Sequence, residues 1–107
     1  VEATKEDAMQ ANDAQTLVLC ALSKGPLHGY AINAAIEELT GSRLGPGSLY
    51  GALTRLEAKG LVESLDEVDR ARPVQLTPEG RRVLEGELRA MARVAAAGLR
   101  GLGVSPA

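Results

Sequence analysis

Between residues 46 and 60 the side chains are arranged to meet a polar, grooved surface. Leu49, Leu53 and Leu56 fall at helical spacing on one side, with Tyr50 flanking them. Ser48, Thr54, Arg55 and Lys59 lie largely away from that stripe, and Gly47, Gly51 and Ala52 are small enough to allow close approach to a flat partner. A helix built this way can present hydroxyl and guanidinium groups to the donors and acceptors on base edges in a major groove. Its first turn also carries backbone N–H groups that suit a phosphate. Arg55 and Thr54 are the candidates for base edges, and Ser48 and Lys59 for the sugar-phosphate backbone. Arg43 joins this basic cluster, and Arg70 and Arg72, further along, could reach a phosphate or the minor groove.

Other chemistries find little support. The chain has one histidine, His28, without grouped cysteines or acids, which makes a poor metal site. His28 is expected to cap or pack the turn before a helix. Tyr30 and Tyr50 are expected as anchors within a helical core. The single cysteine, Cys20, lies in an apolar run and reads as a small buried hydrophobe in a reducing, cytoplasmic setting. No Ser/His/Asp set, phosphate-cradling glycine loop or paired-acid motif stands out, so neither an enzyme nor a cofactor is expected. No long apolar run points to a membrane span or a leader.

The chain of 107 residues fits one domain, which buries roughly two-thirds of its unfolded surface. With two tyrosines and neither Phe nor Trp, its core must be aliphatic. The net charge of −2 does not favour a nonspecific DNA coater. Counterion release depends on local contacts, however, and most of the acids sit in Glu2–Asp13, Glu37–Glu38 and Glu63–Asp69. Arg43, Arg55, Lys59, Arg70, Arg72, Arg81 and Arg82 sit where a duplex would be faced.

The elements that must hold these groups can be traced along the chain. A first helix opens at Asn12 or Asp13 and runs to about Lys24, ended by Gly25 and Pro26. A second begins near His28–Tyr30 and reaches Leu39 or Thr40. Its apolar stripe is Ile32, Ala35, Ile36 and Leu39, with Asn33, Glu37 and Glu38 outward and Gly41 at its end. Pro46 starts the third helix and Gly60 closes it. Two short strands, Leu61–Leu65 and Arg72–Leu76, form a hairpin, and Pro73 restricts the second to an edge or a non-bonded position. Thr77, Pro78 and Glu79 open a last helix running to about Ala97. There Leu84, Leu88, Met91 and Ala95 make a stripe suited to a partner helix, with Leu17 of the first helix as a further contact. The expected fold is mainly α with a small β-hairpin: a winged helix-turn-helix with a C-terminal dimerisation helix. Residues 1–10 are expected as a flexible extension, 11–77 as the winged-helix domain, 78–97 as the dimerisation helix and 98–107 as a flexible tail without a cap.

The stretches LSKGPLHGYAI (22–32), GSLYGALTRLE (47–57), KGLV (59–62) and LTPEG (76–80) resemble the PadR family of bacterial transcriptional regulators. The similarity spans about residues 14–90. It implies a homodimeric winged-helix repressor on a palindromic double-stranded operator, with the third helix in the major groove and a small-molecule effector that releases it. Relatives often carry paired aromatics before the Leu-Thr step, where this chain has Pro73 and Val74. The alternative is a winged-helix protein–protein interaction module without specific DNA binding, motivated by the near-neutral charge and the acids between Asp66 and Asp69.

Overall fold

The computed structural model describes residues 14–67 and 71–105. The extension 1–10, the expected cap at Asn12 or Asp13, and Arg70 lie outside the described residues. Helix α1 covers 14–21 and tightens into a single 3₁₀ turn, Leu22–Lys24. Gly25 follows at φ +150°, a conformation that glycine alone adopts readily, and turns the chain toward α2, Gly29–Thr40. Helix α3 spans Pro46–Ala58, strands β1 and β2 span Val62–Ser64 and Val74–Leu76, and α4 spans Pro78–Gly101. This is the helical, two-stranded architecture of a winged helix.

The core is aliphatic. Val18, Leu19 and Leu22 of the first segment meet Ile32 and Ile36 of α2, Leu49, Ala52 and Leu56 of α3, and Leu61, Val62, Leu76 and Leu84. Each valine, leucine or isoleucine among them, taken fully out of water, contributes roughly 1.5–3 kcal/mol before conformational entropy is counted. Ala52 is therefore core, not an outward small residue, because α3 turns the side carrying Leu49 and Leu56 inward and Ala52 lies between them. Leu39 also departs from its expected place: at the last turn of α2 it is 56% exposed, since no element among the described residues covers the end of that stripe. Cys20 is half-buried and packs against the core from its edge.

Strands β1 and β2 pair antiparallel, with Val62 opposite Leu76 and Ser64 opposite Val74. Both are shorter than the expected Leu61–Leu65 and Arg72–Leu76, and β2 begins after Pro73. That residue's carbonyl accepts from Leu65 N (2.8 Å), a contact that needs no amide proton. Leu27 adds a further rung on the other side, exchanging two backbone bonds with Val74 (3.0 and 2.9 Å). The wing is thereby tied to the segment that starts α2.

Three glycines explain how the pieces stop and touch. Gly60 (φ +75°) ends α3, with Gly60 N donating to Glu57 O and Leu61 N to Leu56 O, a Schellman cap that also joins two buried leucines. Gly103 (φ +78°) ends α4 in the same way, with Gly103 N donating to Arg100 O and Val104 N to Leu99 O. The helix therefore continues past Ala97, and residues 98–101, expected as uncapped tail, are helical. Gly80 meets a different need. A Cβ there would stand 1.9 Å from the Leu61 carbonyl oxygen, so the first turn of α4 packs directly on the chain entering the wing.

Candidate nucleic-acid interface

The turn between α2 and α3 is held by Asn33. Its Nδ2 donates to Leu44 O and its Oδ1 accepts from Leu44 N, both at 2.8 Å. The sequence places Asn33 toward solvent; it is half-buried, and its amide substitutes for backbone pairing at Leu44. The sequence offers one usable signal, an amide side chain within a glycine-ended helix, but nothing that names its partner eleven residues away.

From this clamp α3 emerges with one side buried and the other open. Ser48, Thr54 and Arg55 are exposed, as expected. Arg55 makes no ion pair among the described residues, and its guanidinium lies across Gly51, where a Cβ would come within 3.2 Å of Nη1. Thr54 donates its hydroxyl proton to Tyr50 O (2.9 Å). Its oxygen is left as an acceptor, suited to an amino group rather than a carbonyl. Lys59 reaches back to α1, its Nζ donating to Gln15 Oε1 at 2.8 Å. The amide orients the ammonium without neutralising it.

The remaining basic candidates divide. Arg43 pairs with Glu37 (3.1 Å) on an exposed surface, a contact that holds its charge only weakly. Arg72 is exposed and lines a cleft of about 330 Å³ between α3 and the wing, together with Gly29, Tyr50, Thr54, Glu57 and Ser64. Of the acids near it, Glu57 accepts from Ser64 Oγ (3.2 Å) and Glu63 from Gln75 Nε2 (2.7 Å), while Asp66 and Glu67 stay exposed at the wing.

Both tyrosines overturn the expectation that they anchor the core. Tyr30 is 74% and Tyr50 60% exposed. The volume inside is filled by leucine and isoleucine, and both rings project at the start of α2. His28 occupies the N-cap position without a side-chain cap bond, and its ring instead stacks on Tyr30 (centroids 5.7 Å apart, 7° between planes). Packing, one of its two expected roles, is what it does here.

On α4, Leu84 belongs to the core of its own chain. Past it, Leu88, Met91 and Val94 are exposed, as is Ala95, while Leu17 of α1 is half-buried. Among the described residues there is no group of His, Cys, Asp and Glu able to hold a metal ion, and no helix is long and apolar enough to cross a membrane.

Comparison with known proteins agrees with this geometry. The chain is 69% identical over 86 residues to an uncharacterised 37.1 kDa protein in transposon TN4556 of Streptomyces fradiae; the match covers 80% of this chain and 25% of that protein, a quarter of its length. Among solved structures it is similar to a transcriptional regulator from Clostridium thermocellum (TM-score 0.74, 24% identity, covering 88% and 93% of the two chains), a likeness of fold. It is also similar to a PadR family transcription regulator from Clostridium difficile R20291 (TM-score 0.69, 26% identity, 83% and 96%) and to H. salinarum RosR (TM-score 0.66, 31% identity, 75% and 73%). The model of the transcriptional regulator PadR-like family matches residues 18–86, from the core of α1 into α4. A winged helix with an open third helix, matched over most of its length by that model, belongs to the PadR-like family of transcriptional regulators.

Proposed function

We propose that the chain is a sequence-specific DNA-binding regulator, acting in the cytoplasm as a homodimeric repressor on a palindromic duplex. The observation that carries this reading is the division of α3. Leu49, Ala52 and Leu56 are spent on the core, while Ser48, Thr54 and Arg55 remain outside, with the Arg55 guanidinium free of any carboxylate among the described residues. In this reading Arg55 donates to a guanine edge and Thr54 accepts from a base amino group. Ser48, Lys59, Arg43 and the wing residues Arg70 and Arg72 contact the backbone. The dimer forms along α4 and α1, through Leu88, Met91, Ala95 and Leu17 with Leu84 beneath them. It sets the two recognition helices about 34 Å apart, one turn of DNA. A small-molecule effector that changes this spacing releases the operator.

Selection of duplexes from a random library with the purified protein tests the reading, followed by affinity measurements across salt. Arg55→Ala should weaken the selected site by about tenfold or more, relax preference at one base position, and leave the melting temperature nearly unchanged. Failure to enrich any duplex, or affinity indifferent to salt, would favour the protein-interaction module. Leu88→Glu should convert the dimer to monomer in sedimentation and weaken operator binding with it.

A further inference from the structure

The chain's only two aromatic residues of the Phe, Tyr and Trp class are both outside the core, and both stand at the same place. The phenolic oxygen of Tyr50 lies 3.6 Å from where a Cβ on Gly29 would be, beside the first residue of α2, and Tyr30 is the next residue along that helix. Tyr30 is held by its stack on His28, and Tyr50 springs from the first turns of α3 and lines the cleft toward the wing. Neither phenol hydroxyl has an intramolecular partner among the described residues; the side-chain bond at Tyr50 is the one its backbone carbonyl accepts from Thr54.

Two large rings left in water, when the core would have gained from either, indicate a use at the surface. A tyrosine has an apolar body and a donor at its tip, with few rotatable bonds to immobilise. We infer that Tyr30 and Tyr50 are a pair of uncharged donors to the phosphates flanking the site of α3, fixing how that helix is seated rather than which bases it reads. This rests on the reading of α3 as a duplex-binding helix. Tyr30 lies beside α3 at the start of α2, and Tyr50, one turn before Thr54 on α3, carries its hydroxyl toward Gly29 of α2, at the rim of the side that would meet the base edges, which is where backbone contacts belong.

The consequence separates these residues from the arginines. A neutral hydroxyl releases no counterion, so its loss lowers affinity without changing the dependence on salt. With the duplex recovered by selection as probe, Tyr30→Phe and Tyr50→Phe should each weaken binding about tenfold, equally for the selected and a scrambled duplex. The slope of log affinity against log salt should stay that of the wild type, whereas Arg72→Ala, the loss of a charged backbone contact, lowers it by about one. Unchanged melting temperatures would show that both variants fold. Wild-type affinity in both Phe variants would overturn the inference, as would a loss confined to the selected sequence. If the wild-type protein selects no duplex at all, the DNA-binding reading falls first, and this one with it.

Discussion

The N-terminus of α4 and those of α2 and α3 are made of opposite chemistry. Helix α4 begins with Thr77, whose Oγ1 accepts from Gly80 N (3.0 Å) and donates to Gly60 O (2.7 Å), followed by Pro78 and Glu79 in the first turn. The cap takes up the orphan Gly80 N–H, proline removes another, and Glu79 faces the positive end. Helices α2 and α3 begin at His28 and Gly45, with no side-chain cap bond and no acid in either first turn. The same chain caps one helix start from within and leaves two others without a side-chain cap. The closed one is a joint within the fold. The start of α2 lies beside Arg72 and Tyr50, and α3 opens into its own exposed polar side; in the proposed function an anionic partner completes both.

The contrast can be broken at its closed end first. Gly80→Ala places a methyl group against the Leu61 carbonyl, a backbone atom that cannot rotate aside. Thermal or denaturant unfolding should show a loss of about 3 kcal/mol, while any site preference in the remaining folded protein is kept. A loss below that of an ordinary surface change would mean that the joint is not tightly seated. Next in size is the clamp between the open helices. Asn33→Ala strands both polar groups of Leu44 and should cost about 2 kcal/mol. Asn33→Asp, able to accept from Leu44 N but not to donate to its oxygen, should fall between Asn33→Ala and the wild type. Equal stability of the two variants would show that a single bond matters.

The smallest change in stability sharpens the comparison most. At Gly45 a side chain would meet nothing within 4 Å, so Gly45→Asp can supply the cap and charge that α3 lacks. The free protein should become a few tenths of a kcal/mol more stable. Its affinity for the selected duplex should drop, with the loss growing as salt is lowered. A variant that gains stability and binds as well as before would show that the open start of α3 does not face a phosphate.

Much of the fold was legible in the residues themselves. Thr77-Pro78-Glu79 states a helix start in three residues, Gly41 and Gly60 state helix ends, and the Leu49–Leu56 spacing states an amphipathic helix, because each signal acts within a turn or two of chain. The cap at Gly103 was equally local and was hidden only by the surrounding glycines. The outward placement of Ser48, Thr54 and Arg55 followed from the same periodicity.

What lay beyond reach was everything set by a distant neighbour. Asn33 looks like any polar residue of a helix until Leu44 folds back over it. Gly80 looks like a poor helix former until Leu61 is found against it, and Thr16 gives no hint of its bond to Glu87 (2.8 Å) across 71 residues. The tyrosines were misjudged for the same reason: their hydrophobicity is intrinsic, but whether anything covers them is not. Propensity, periodicity and capping are properties of a segment, so the chain alone determined which pieces form and which side of each is apolar. Burial and exposure at the ends of those stripes belong to pairs of segments, and only the tertiary packing decided that Ala52 would be inside and Tyr30 and Tyr50 outside.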